Sequence, residues 1–153
     1  VGSEMCIRDS AYAFSEEGAG IDGKSFSLLP VEIFYRETGK TKKVTEYPCD
    51  GKLLKAAEQV KTKYHTGRGV IGSGDEWNNQ LDRIALLRER YHTAVEDMES
   101  AAAAQLCLSY GVPFLGVRIL SNSIVNGEKF DEAVGIDGQK FMLSLVDQMR
   151  EYM

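Results

Sequence analysis

The 153 residues carry 18 Lys and Arg against 23 Asp and Glu, a net charge of -5, with 43% hydrophobic and 27% charged residues. That is the composition of one ordinary globular domain long enough for a sizeable core, which excludes a disordered or fibrous chain. No basic cluster exceeds Thr41-Lys42-Lys43, which excludes the basic surface that nucleic-acid phosphates require.

Cys6, Cys49 and Cys107 are odd in number and widely spaced, with no CxxC pattern. This argues against a disulfide framework and against a zinc site, and a reducing, cytoplasmic compartment is the simplest reading. No apolar run approaches a membrane helix in length, and no signal peptide is visible, so no membrane partner is expected.

The chain begins at Val1, and residues 1–10 show neither a strand nor a helix period. The stretch resembles translated adapter sequence at the ends of reading frames assembled from short reads, so it is set apart as a non-native artefact. The remainder reads as part of a longer protein.

Residues 11–29, rich in Ser, Gly and Glu, read as loop. Pro30–Tyr35 alternates and is β-rich, which predicts a strand, and Glu37–Lys43 reads as a turn with a solvated charge run. Asp50 is placed to cap a helix over Lys52–Tyr64, with Leu53, Leu54, Ala57 and Val60 on one face. Gly69–Gly72 reads as a short buried strand ending in a Ser73-Gly74-Asp75 turn.

Leu81, Ile84, Leu87 and Tyr91 recur at helical spacing and predict a helix over 79–91, followed by a short strand at Thr93–Val95. A third helix is expected from about Met98 to Tyr110, ended by Gly111, its Ala101–Ala104 run allowing close approach to a sheet. Pro113–Leu120 is the clearest buried strand, because a nearly continuous apolar run suits a central parallel strand. Asn122–Gly138 reads as a long polar loop, and a last helix over 138–152 would carry Met142, Leu145, Met149 and Tyr152 as its stripe. Alternating strands and helices give an α/β fold.

Two segments carry candidate chemistry. Val95-Glu96-Asp97-Met98-Glu99-Ser100 is an acidic turn opening the alanine-rich helix, and Arg118-Ile119-Leu120-Ser121-Asn122 is the polar end of the apolar strand. A βαβ crossover between them brings both to one sheet edge, where open α/β sheets bind ligands. This spacing resembles the nucleoside phosphorylase/nucleosidase superfamily, in particular its methylthioadenosine/S-adenosylhomocysteine nucleosidases.

The resemblance implies a twisted mixed, largely parallel sheet flanked by helices, incomplete at the N-terminus. Residues 11–153 would then be the C-terminal part of a single nucleoside phosphorylase-like domain. It also implies N-glycosidic cleavage of a small-molecule purine nucleoside in methionine salvage, no cofactor or metal, and a homo-oligomer. In such enzymes a Met-Glu pair holds the ribose, which maps to Met98 and Glu99, with Asp97 beside them. A carboxylate suits this task, since it accepts from vicinal hydroxyls and offsets the positive charge of an oxocarbenium-like sugar. The plainer reading is that Glu96, Asp97 and Glu99 only cap a helix and complement its dipole.

Ser73-Gly74-Asp75-Glu76-Trp77-Asn78 resembles the segment from which an aromatic residue stacks on the purine, so Trp77 would stack and Asn78 would follow it. Asn122 stands where adenine-specific members place an aspartate, and Ser121 and Arg118 could orient its amide. Asparagine donates and accepts hydrogen bonds but supplies no proton. It suits a base that accepts at N7 or O6, as in 6-oxopurine phosphorylases, or else marks a weakened or altered enzyme. The alternative for Arg118 is an ion pair with the nearby carboxylates.

Three rivals follow: a 6-oxopurine phosphorylase, a non-catalytic nucleoside-binding or storage protein, and an α/β domain of other function. The resemblance leaves out the first strands, which would carry the nucleophile-activating groups, so the isolated chain is expected to be inactive. His65 and His92 read as surface or capping residues. Asp131-Glu132 and Asp137 lack the spacing of a calcium loop.

Overall fold

The computed structural model describes residues 6–9, 12–13, 27–28, 30–74 and 79–150. Its principal sheet has the order β6-β1-β7-β8, built from β1 (Cys6–Asp9), β6 (Glu46–Pro48), β7 (Val70–Ser73) and β8 (Thr93–Asp97). β1 runs antiparallel to β6 and parallel to β7, and β7 runs parallel to β8. The sheet is therefore mixed, and the fold is α/β as expected.

Cys6–Asp9 lies in the stretch set apart as a non-native artefact, and it forms a strand of this sheet. The segment pairs on both sides, Ile7 with Tyr47 and with Ile71. Backbone pairing fixes it there, and that is not visible in a period of side chains. In the stretch expected to be loop, β2 (Tyr12–Ala13) pairs antiparallel with β3 (Ser27–Leu28), and the rest lies outside the described residues.

β4 (Val31–Tyr35) and β5 (Lys40–Val44) form an antiparallel hairpin in the register Val31 to Val44 and Tyr35 to Lys40. β5 corrects the reading of its lysines as part of a solvated turn. A strand with one open face tolerates exposed Lys40, Lys42 and Lys43, and only Val44 of β5 packs on the core. That core gathers Ile33, Tyr47, Ile71, Ala101 and Ala104.

Asp50 caps α1 (Gly51–Gln59) as expected, its Oδ1 accepting from the amides of Lys52 at 2.8 Å and Leu53 at 3.0 Å. The helix stops short of Tyr64 because Val60 leaves the helical region at φ -68, ψ 118. Val60 instead joins a second core with Ala56 and Leu145. α2 (Leu81–Tyr91) follows the predicted span, and α3 (Ser100–Tyr110) ends at Gly111 with φ 67. That left-handed conformation is where glycine carries no Cβ penalty.

α4 (Ala133–Met149) starts five residues before the expected helix, with Gly135 and Gly138 inside it. Glycine lowers helix propensity, but packing overrides it here. Val134 and Leu145 are buried, and Gly138 faces Ile119 across an ordinary contact distance.

Pro113–Leu120 forms no ladder among the described residues, which corrects its reading as a central strand. Its side chains still alternate: Phe114 packs on the first core, while Leu115 and Val117 pack on the second. The segment lies between two cores, tied by Asp50 N–H to the Phe114 carbonyl at 2.7 Å. Apolar pattern reports burial, not hydrogen-bond pairing.

Candidate functional site

The C-terminal end of β8 runs straight into the N-terminus of α3, and Asp97 closes that junction. Its Oδ1 accepts from the Ser100 amide at 3.2 Å, and its Oδ2 from the Ser100 hydroxyl. Across the sheet, the hydroxyl of Ser73 on β7 accepts from the Ala101 amide at 3.1 Å and donates to Asp97. Arg118 Nε completes the set at 2.5 Å from Asp97 Oδ2.

Burial pushes the Asp97 carboxyl up, but the Ser100 and Ser73 hydroxyls, the Ser100 amide and the Arg118 charge outweigh it. The net position is below the ordinary carboxylate value of 3.8. Asp97 is therefore held ionised.

Capping falls to Asp97, and Glu99 is left out of it. Glu99 occupies the N-cap position of α3 without a side-chain cap bond, and its side chain is 73% exposed. Its Oε2 accepts from the Met98 amide at 3.3 Å and lies 3.8 Å from Arg118 Nη2. Met98 beside it exposes its apolar side chain.

These residues line one cleft of about 940 Å³, together with Arg118, Ser121 and Asn122. The volume lies in the range of small-molecule sites. Ser121 Oγ donates to Asn122 Oδ1 at 3.1 Å, while the Ser121 carbonyl accepts from the Asp131 amide at 3.0 Å. Ser121 thus contacts the Asn122 amide as expected. Arg118 takes the alternative role instead, pairing with Asp97 and Glu99 and donating through Nη1 to the Val117 carbonyl at 2.8 Å.

Trp77 and Asn78 lie outside the described residues. The structure thus brings Asp97, Met98, Glu99, Arg118, Ser121 and Asn122 to one cleft, with Asp97 turned inward.

Ser73 and Ser100 belong to the site; both stand in the quoted motifs but were given no role there, because a buried serine carries no sequence signal of its own. Ile84, Arg88 and His92 also line the cleft. His92 is the C-cap of α2, as expected, at φ 58. Asp131 Oδ1 accepts from the Ala133 amide at the start of α4, and Asp137 binds Lys63, Tyr64 and Lys140. Among the described residues, no group of three or more His, Cys, Asp or Glu is placed to hold a metal ion, and no helix is long and apolar enough to cross a membrane.

An α/β domain with a polar cleft at its strand ends is a frame that many enzyme classes share. The comparison with known proteins narrows it: a family model described as the phosphorylase superfamily matches residues 9–149, and the chain belongs to that superfamily. It is 34% identical over 131 residues to the 5'-methylthioadenosine/S-adenosylhomocysteine nucleosidase of Bacillus pumilus strain SAFR-032, covering 78% of this chain and 56% of the relative. The corresponding nucleosidase of Aeromonas salmonicida strain A449 is 32% identical over 125 residues, covering 77% and 54%. The chain thus spans about half the length of these curated relatives.

Among solved structures, futalosine hydrolase of Helicobacter pylori strain 26695 superposes with a TM-score of 0.64 at 22% identity, covering 95% of this chain and 57% of that one. The methylthioadenosine/S-adenosylhomocysteine nucleosidase of Colwellia psychrerythraea 34H, in complex with adenine, gives 0.58 at 20% identity, covering 94% and 59%. Both share the fold.

Proposed function

We propose that the protein hydrolyses the N-glycosidic bond of purine nucleosides, releasing adenine from methylthioadenosine or S-adenosylhomocysteine. The observation that carries this reading is the placement of Met98-Glu99 and Ser121-Asn122 on one cleft. The names of the relatives from Bacillus pumilus and Aeromonas salmonicida support it.

Glu99 accepts hydrogen bonds from the ribose hydroxyls and offsets the charge that develops as the sugar becomes oxocarbenium-like. Met98 gives the sugar an apolar wall. With Oδ1 of Asn122 engaged by Ser121, Nδ2 donates to purine N7 and stabilises the leaving base as it gains electrons. Trp77 stacks on the base and Asn78 contacts it through the backbone. Arg118 and Asp97 organise the ribose side. The protein acts in methionine salvage as a cytoplasmic homo-oligomer.

Asn122 favours a second reading, phosphorolysis of 6-oxopurine nucleosides, because its amide can donate to O6 as well as N7. Base release separates the readings. The full-length protein that carries this chain is incubated with methylthioadenosine, S-adenosylhomocysteine, adenosine, inosine and guanosine, with and without phosphate. Phosphate-independent adenine is the expected product, and phosphate-dependent hypoxanthine or guanine would favour the second reading. Binding without turnover would leave a nucleoside-binding protein.

A further inference from the structure

Two carboxylates compete for one arginine at the cleft. The Arg118 guanidinium lies 2.5 Å from Asp97 through Nε and 3.8 Å from Glu99 through Nη2. The Asp97 side chain is 6% exposed and the Glu99 side chain 73% exposed. The outcome follows from solvation. A buried carboxylate without a cation is strongly destabilising, whereas a solvated one gains little from a pair. Ser73 and Ser100 fix the Asp97 carboxylate from two elements, β7 and α3, and the Val117 carbonyl holds Arg118 Nη1. The guanidinium is thereby pinned on the inner side of the junction.

We infer that Asp97 is a positioning residue that limits Arg118 to one long contact with Glu99 Oε2, leaving Glu99 Oε1 open to the hydroxyls of a ribose. The inference rests on the nucleoside reading of the cleft, and it reassigns Asp97, which the sequence placed among the substrate-binding residues. Loss of the Asp97 charge frees Arg118 to close on Glu99 in a bidentate pair, the strongest geometry open to it, and that pair occupies the acceptors the sugar needs.

The distinguishing experiment is a double substitution. Methylthioadenosine turnover is compared in the full-length protein that carries this chain, as parent, and in its Asp97→Asn, Arg118→Gln and Asp97→Asn/Arg118→Gln variants. The kcat/KM should fall about tenfold or more in Asp97→Asn, and recover in the double variant to within about threefold of Arg118→Gln alone. A residue with a purely structural role gives additive losses and no recovery. Unchanged turnover in Asp97→Asn, or a double variant at least as impaired as that single one, would overturn the inference. A crystal structure of Asp97→Asn decides the same point without substrate. Arg118 bonded to both Glu99 oxygens supports the inference, and Arg118 left at its present distance overturns it. Absence of base release in the parent would refute the nucleosidase reading alone, and the position of Arg118 in that variant would still settle this one.

Discussion

The Ser121 hydroxyl donates to Oδ1 of Asn122 at 3.1 Å, so the amide nitrogen is the group that can address a ligand in the cleft. An amide in that orientation stabilises a leaving purine by donating at N7 and cannot protonate it. Asn122→Asp restores a group able to carry a proton. The expected result is an adenine release rate raised about tenfold or more, with an acid-side pH dependence that the parent lacks. Equal rates and identical pH profiles would remove Asn122 from the leaving-group side of the reaction.

Acid stability follows from two aspartates. Asp97 is held below 3.8 by its serines and Arg118, and Asp137 is lowered to about 2 by Tyr64, Lys63 and Lys140. A carboxyl with a depressed folded-state pKa stabilises above its unfolded value, and that contribution disappears as pH falls through the folded one. Stability should therefore decline between about pH 4 and about pH 2. Asp137→Asn should flatten the lower part of that decline, as read by denaturant midpoints across the range. An unchanged slope would mean that the Tyr64 and Lys63 contacts do not persist in solution.

The second core makes a paired stability test. Leu145 is 1% exposed against Ala56 and Val60, while Leu143 on the same helix is 70% exposed. Leu145→Ala should cost about 2–5 kcal/mol, and Leu143→Ala less than about 0.5 kcal/mol, by urea unfolding. Similar costs at the two positions would contradict the assigned face of α4. Asp50→Ala should cost about 1 kcal/mol through loss of its two cap bonds to α1, with a smaller loss arguing that water replaces them.

Leu120, Val125, Phe130, Ile136 and Leu143 are large apolar side chains left more than half exposed. Apolar surface of that extent drives association. In isolation the 153-residue chain should self-associate at micromolar concentration and be inactive, as seen by light scattering and base release. A monomer that melts cooperatively and turns over substrate would contradict this.

Much of the architecture was legible because the helices are bounded by local chemistry. Asp50, Gly111 and the Leu81–Tyr91 spacing mark ends and faces that the structure retains. Pairing was not legible. Cys6–Asp9 and Lys40–Val44 enter ladders through backbone groups, and Pro113–Leu120 stays outside one despite its apolar run. The start of α4 was missed because Gly135 and Gly138 look like loop residues, while the burial of Val134 and Leu145 that holds the helix is tertiary.

At the site, the acidic turn and the Ser121-Asn122 end were legible as neighbours on one cleft. The division of labour between Asp97 and Glu99 was not. Acids two residues apart look alike in sequence, and only burial separates the one that caps the helix from the one left exposed to solvent.

The most direct test is adenine release from methylthioadenosine in phosphate-free buffer, comparing the full-length protein that carries this chain, as parent, with its Glu99→Gln variant. The account predicts phosphate-independent adenine from the parent and a rate reduced about a hundredfold or more in the variant. No adenine from the parent, or equal rates from the two proteins, would contradict it.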